Sequence, residues 1–350
     1  MSSPPSSSPS SSATPPAPGP ESFVARDGTD LIALVPVVLG FHPQDSVVLL
    51  TFGPPGGSFH ARVDLPLRHT DQLEVAAMLL RAVVANRVRR AAVLIYTDDV
   101  EVAREQGGVL LERLLEADVE VIDVIRVGDT AWHSVPEDGS PGTAYSLETH
   151  PFTAQHVYAG HRVHRDRAEL ADSLVGVDDA DAVAVALSAS RFADLVARAE
   201  AGLDAYLCTE ARWVQRRVRQ HQRDGQDPGA GEAGRLLVLA SLVPTRDVAW
   251  SEISRESAPG HVELWRGLVR RAPRELLPGA SSLLAFAAWQ AGDGALAWCA
   301  LDRCLEVDPD YSMAHCVADI LTAAVPPGVW EQVPETELPV FGPERASARR

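Results

Sequence analysis

The chain has 350 residues, 46% of them hydrophobic, and 48 acidic side chains against 31 basic ones give a formal net charge of −17. That balance argues against a nucleic-acid partner, because phosphate binding needs a clustered positive footprint. Four cysteines in a chain of this length, none in a CxxC pair, do not suggest a disulfide framework, and reduced, buried thiols are expected.

The length has room for two domains of ordinary size. Every basic side chain other than histidine is arginine, which together with the abundant Ala, Val, Asp and Pro reads as codon composition of a high-GC genome. Residues 1–22 contain neither a basic nor an apolar signal region and read as a disordered Ser/Pro-rich tail. The longest apolar run, Leu31–Phe41, is about half of the ~20 residues a membrane-spanning helix needs and contains a proline, so a soluble, cytoplasmic protein without a membrane partner is expected.

Residues 23–150 are expected to form an α/β domain with a mixed, mostly parallel sheet and flanking helices. Thr29 or Asp30 is placed to cap a short helix with Leu31, Leu34, Val35 and Val38 at helical spacing; Pro36 should shorten or kink it, and Gly40 and Pro43 should stop it. Ser46–Phe52 has no polar alternation, the pattern of a strand buried on both faces. In the polar turn before it, Asp45 and Ser46 are expected to satisfy turn amides and His42 to face solvent, although the same loop is a candidate binding site. Gly53–Ser58 leads into a second strand, HARVDLP, by a hairpin or short connection. It lacks the lysine of a phosphate loop, and Arg62 and Asp64 read as a solvated pair.

A helix from Thr70 to about Val88 carries an apolar stripe of Leu73, Ala77, Leu80 and Val84. The next segment, AAVLIYTDD, reads as a buried strand. Asp98 and Asp99 past its carboxyl end either cap the following helix, the favoured reading, or stand where open α/β sheets bind ligands. That helix, Val100 to Glu116, is weakened by Gly107 and Gly108. A third buried strand, VEVIDVIRV, places Asp123 where it needs a partner within the sheet, such as an arginine. Trp132–Val135 reads as an antiparallel return and PEDGSPG as a turn.

Residues 151–223 read as a helical connecting segment. His150, His156, His161 and His164 cluster, and the last two have i, i+3 spacing. No cysteine or carboxylate completes a ligand set, so a solvated, basic surface is expected rather than a metal site. Asp178–Gln220 is a long Ala-rich, helix-compatible stretch, and residues 224–234 read as a flexible linker. Residues 235–325 read as an all-α unit of successive helices: Arg235–Val243, Arg246–Glu256, Val262–Arg271, Ser281–Ala291, Ala295–Val307 and Tyr311–Ala324. Within Pro278–Tyr311, Leu284, Ala285, Ala288, Gly292, Asp293, Ala297, Leu301, Cys304 and Pro309 stand where a tetratricopeptide-type hairpin has its packing residues, so the unit is expected to be tetratricopeptide-like. Cys299, Cys304 and Cys316 read as core residues, and Trp265, Trp289 and Trp298 as helix packing. Residues 326–350 form a proline-rich tail whose available anchors are Trp330 and Phe341.

Three stretches, LIALVPVVLGFHPQDSVVLL with RVDLP (residues 31–50 and 62–66), TRDVAW (245–250) and AGDGALAWCALDRCLEVDPDY (291–311), resemble an uncharacterised family of high-GC Gram-positive bacteria known as domain of unknown function 4192. The resemblance spans most of residues 24–328 and implies no activity. Family members often carry cysteines near WHSVPEDGSP (132–141), where this sequence has none, so no metal or redox role carries over.

No GxSxG, HExxH or phosphate-loop pattern is present. The first reading of function is therefore a non-catalytic adaptor or regulator that binds another protein through the C-terminal helical unit. The second is a small-ligand or nucleotide-binding protein, or an enzyme, with a pocket at the carboxyl edge of the sheet. That pocket would be built from Asp45, Ser46, Asp98 and Asp99, joined by Arg246 and Asp247 from the helical unit. No cofactor or metal is expected, and the oligomeric state is open. Meeting of the loops 42–46 and 97–99 in one concave, polar pocket would favour the second reading.

Overall fold

A computed structural model of the chain describes residues 24–53, 59–135, 141–158, 160, 162–176 and 204–342. Expectations for the N-terminal tail, most of the PEDGSPG turn, His161, the Ala-rich stretch before residue 204 and the last eight residues lie outside the described residues.

The first helix, α1 (Gly28–Leu39), is capped by Asp27 rather than by Thr29 or Asp30: the Asp27 carboxylate accepts from the Asp30 N–H at 2.9 Å. Thr29 and Asp30 face other partners. Thr29 Oγ1 accepts from the Trp132 indole N–H at 3.1 Å, and Asp30 Oδ1 meets His150 Nε2 at 3.1 Å. Pro36 lies inside the helix without ending it, and Gly40, at φ 75°, closes it in the left-handed conformation.

The sheet has the order β2-β1-β3-β4-β5-β6. Its strands are β1 (Ser46–Phe52), β2 (His60–Asp64), β3 (Arg90–Tyr96), β4 (Glu120–Val127), β5 (Ala131–Ser134) and β6 (Thr143–Ala144). The expectation of a mostly parallel sheet is corrected: among the described residues only β3 and β4 pair parallel, and every other pairing is antiparallel. The connections explain this. β1 returns directly as β2, and α2 (His69–Ala85) then crosses β1 to deliver β3 on its other side, so β1 is antiparallel to both neighbours. Only α3 (Val100–Glu116) links two adjacent strands by a full crossover.

Side chains alternate across a strand, and each face of the sheet has its own cover. Val47, Leu49, Val93, Ile95 and Val124 pack with α2 and α3 residues such as Leu79, Val83, Leu110 and Leu114. On the other face Val48, Leu50, Leu94, Ile125 and Val127 pack under Ile32 and Val35 of α1, in a cluster that continues without interruption into the helical half.

The expected stripe on α2 is displaced by one residue. Gln72, Ala76, Leu79, Ala82 and Val83 are buried, whereas Leu73 is 41% and Val84 61% exposed. The two stripes have the same spacing, so periodicity cannot choose between them. β4 is also less buried than expected, alternating over its first half. Asp123 in it accepts from Ser134 Oγ at 2.8 Å, a partner within the sheet but a hydroxyl rather than an arginine.

The helical half comprises α4 (Pro151–Tyr158), α5 (Arg167–Asp172), α6 (Asp204–Asp224), α7 (Ala230–Ala240), α8 (Val243–Ser251), α9 (Ala258–Val269), α10 (Leu277–Ala291), α11 (Gly294–Val307) and α12 (Ser312–Thr322). Residues 224–234 are not a flexible linker. α6 ends at Asp224 and α7 begins at Ala230, and the turn between them is held by Arg217, His221 and Arg271 bonding to the carbonyls of Gln226 and Pro228. α10 is the central helix, buried from Leu277 to Gln290, and forms a hairpin with α11. Trp265 and Trp289 are buried as expected, but Trp298 is 36% exposed and Cys316 is exposed.

The clustered histidines are not a solvated surface. His156 and His164 are buried, His150 bonds Asp30, and the His164 backbone pairs with Gly40 and His42. These contacts tie the helical half onto the end of α1. The segment after α12 runs as an extended strap with short 3-10 turns. Trp330 packs on Trp250 and Phe286, and the Arg212 guanidinium covers the Phe341 ring, while Leu338 and Val340, not expected as anchors, are 3% and 1% exposed.

Candidate functional site

Strand register decides what meets at the sheet edge. Ser46 pairs with Tyr96 and Tyr96 with Val127, so the start of β1 lies beside the ends of β3 and β4. The loops 42–45, 97–99 and 128–130 therefore leave the sheet at the same edge. Backbone bonds fix them: Thr97 N–H donates to the Val127 carbonyl at 3.1 Å, Leu65 N–H to the Asp45 carbonyl at 2.8 Å, and His42 N–H to the His164 carbonyl at 3.1 Å. Tyr145, following β6, folds over this edge and its hydroxyl donates to the Gly128 carbonyl at 3.0 Å.

Between these loops and the Ile32–Pro36 side of α1 lies a cleft of about 420 Å³. Its polar lining consists of Asp45, Asp98 and Asp129, the phenols of Tyr96 and Tyr145, and Thr97, His42 and Gln44; among the described residues no arginine lines it, and the Arg126 guanidinium bonds the Thr97 carbonyl at 3.4 Å. Pro36 has no N–H to offer, so the Ile32 carbonyl on the same wall lacks its helical donor. Gly128 gives the Asp98 carboxylate its room, since a Cβ there would lie 2.9 Å from Asp98 Oδ1.

The electrostatics follow from this lining. Burial, then the charges of Asp129 and Asp98, push the Tyr145 phenol above its ordinary range. Burial and then Tyr145 push the Tyr96 phenol well up, so both stay protonated at neutral pH. Burial pulls His42 down, which keeps it neutral there. The cleft thus combines carboxylates, hydroxyl groups and a neutral imidazole, a set that attracts positive charge and disfavours phosphate. Among the described residues, His42 makes no side-chain hydrogen bond, and burial alone sets the direction of its shift. No group of three or more His, Cys, Asp or Glu side chains among the described residues could hold a metal ion.

Of the residues singled out in the sequence, Asp45 and Asp98 line this cleft. Ser46 is buried beneath it and bonds the Gln44 carbonyl and Arg62 Nε, a turn-satisfying role. Asp99 caps α3, accepting from the Glu101 and Val102 N–H groups. Arg246 and Asp247 pair with each other at 2.8 Å, Arg246 also reaching the Tyr311 hydroxyl at 3.2 Å, and neither lines the cleft. Asp129 was missed although it stands past the end of β4 as Asp98 does past β3. Tyr145 carries no local signal, since only the return of β5 and β6 brings it over the edge.

A smaller hollow of about 190 Å³ lies under the strap, beside Arg219, Glu252 and Glu335. Its charges already neutralise one another: Arg219 makes a two-pronged bond to Glu252 at 2.7 and 2.8 Å, and Glu335 pairs with Arg212. This arrangement locks the strap and leaves no charge for a ligand.

Neither a curated protein nor a solved structure matches the chain. The sequence pattern of a family described as "Domain of unknown function (DUF4192)" matches residues 29–328, from α1 through the helices to the start of the strap, and the chain belongs to that family.

Proposed function

We propose that the protein binds a small, positively charged organic ligand, such as an amine or guanidine, in the cleft at the carboxyl edge of the sheet. The observation that carries this reading is the convergence of Asp45, Asp98 and Asp129 with two tyrosines around one concave space that no arginine among the described residues lines. Carboxylates accept charge-assisted hydrogen bonds from an ammonium or guanidinium, and tyrosine faces add cation–π attraction. The nucleotide-binding and enzymatic versions of the pocket idea draw less support, because among the described residues the lining offers no phosphate-binding cation and its histidine makes no side-chain hydrogen bond.

The adaptor reading, with a tetratricopeptide-like unit binding a protein partner, is supported by the α10–α11 hairpin and the exposed edge of Trp298. It ranks second because α10 is buried along its length, so the inner helix of the hairpin presents no surface to a partner.

The test is a thermal-shift screen of the full chain against polyamines, guanidines, nucleotides and divalent metals. Amines or guanidines are expected to raise the melting temperature with dose; a ligand at about a hundredfold its Kd adds roughly 2.7 kcal/mol. Replacing both Asp98 and Asp129 by asparagine should remove the shift while leaving the unliganded melt near that of the natural chain. A shift with nucleotides alone, or an amine response unchanged in the double variant, would overturn the proposal.

A further inference from the structure

Helix α2 carries more apolar surface than the sheet uses. Its inner stripe faces the core, while one residue further round, Leu73, Ala77, Leu80 and Val84 repeat at spacings of four, three and four. Leu73 is 41% and Val84 61% exposed, Ala77 is exposed and Leu80 half-buried. This alternation matches the spacing of a two-helix coiled-coil seam, with Ala77 and Val84 at one kind of core position and Leu73 and Leu80 at the other.

Charge identifies the occupant. On the solvent side of the stripe stand Glu74 and Arg81, one heptad apart and both exposed. Neither makes an ion pair among the described residues. A second copy packed antiparallel, with its two-fold axis between Ala77 and Leu80, sets Leu73 against Val84 of the partner subunit and Ala77 against Leu80 of the partner subunit. The same symmetry brings Glu74 to Arg81 of the partner subunit, and it does so twice. A parallel pairing would instead place these two side chains on opposite flanks of the seam, where they do not meet. The stripe is self-complementary in apolar register and in charge for one orientation only.

We infer that the protein self-associates as a two-fold dimer through antiparallel pairing of the outer faces of α2. The helix has 17 residues and is about 25 Å long, so the contact is small and the dimer is reversible. None of the cleft-lining residues lies on α2, so dimerisation leaves the cleft open.

Sedimentation velocity on the full chain over a micromolar concentration series tests this. The natural chain is expected to show a concentration-dependent monomer–dimer equilibrium. Glu74→Arg or Arg81→Glu alone, which sets like charges against each other at both ends of the contact, should weaken the dimer by about tenfold or more. The Glu74→Arg/Arg81→Glu double variant should recover it, and an equimolar mixture of the two single variants should form a heterodimer. These positions are exposed, so unchanged melting temperatures serve as the folding control. A chain monomeric throughout the series, or a dimer indifferent to both charge reversals, would overturn the inference.

Discussion

His261 and His60 are the side chains whose protonation the fold resists most. His261 is fully buried between α6 and α9, where its Nε2 donates to the Glu252 carbonyl at 3.1 Å and its Nδ1 has no partner. Burial pulls both imidazoles from 6.5 to about 4. With the folded value below the unfolded one, the neutral form is the one the fold stabilises. That contribution is complete above pH 6.5 and is lost as pH falls towards 4. For His261 alone the loss is on the order of 3 kcal/mol. Urea melts between pH 7.5 and 4.5 should show stability declining over this window, and His261→Gln should flatten the decline. At the same scale, the cap at Asp99 is legible from the sequence because a cap bonds only its own next residues. The place of Asp98 is not, because the room for its carboxylate is set by Gly128, on another strand's end.

At the scale of elements, position and type were largely readable while facing was not. The two stripes of α2 differ by a rotation of about 100°, and only the neighbouring α3 and the sheet decide which is covered. α3 runs unbroken through Gly107 because that glycine faces the sheet, where a Cβ would lie 3.0 Å from Val124. The strap shows the opposite limit: without a periodic pattern, its buried Leu338 and Val340 could not be told from loop residues. They pack with Leu207, Ala211 and Val248 of α6 and α8. Leu338→Ala should therefore cost about 2 kcal/mol of unfolding free energy and make the segment after Pro326 more sensitive to proteolysis. Equal protease resistance in the variant and the natural chain would show that the strap is held by Trp330 and the Glu335 ion pairs instead.

The whole molecule behaves as one packed body over its described residues. The cluster under α1 includes Val48, Leu94 and Ile125 of the sheet together with Trp265, Leu284 and Leu301 of the helices. Polar ties cross the same junction: the His42 N–H donates to the His164 carbonyl at 3.1 Å, and Asn86 Nδ2 donates to the Ala324 carbonyl at 2.8 Å. The expected division into an α/β domain and a separate helical unit thus describes secondary structure rather than independent cores. Calorimetry should give a single transition whose calorimetric and van't Hoff enthalpies agree. Two resolved transitions would mean that the shared cluster does not couple the halves.

By itself the sequence determined what local physics controls. The uninterrupted apolar runs of β1 and β3, the left-handed Gly40, the cap at Asp99 and the α10–α11 hairpin all depend on neighbours within a few residues. Strand direction does not. A parallel pairing of β1 with β3 would have put the loop before β1 at the far end of the sheet from Asp98. Antiparallel pairing, set by the return of β1 as β2 and the crossing of α2, puts Asp45 and Asp98 in one cleft. Only the tertiary structure decided that, because direction is fixed by how helices and strands pack over one another, and a run such as SVVLLTF reads as equally buried in either direction.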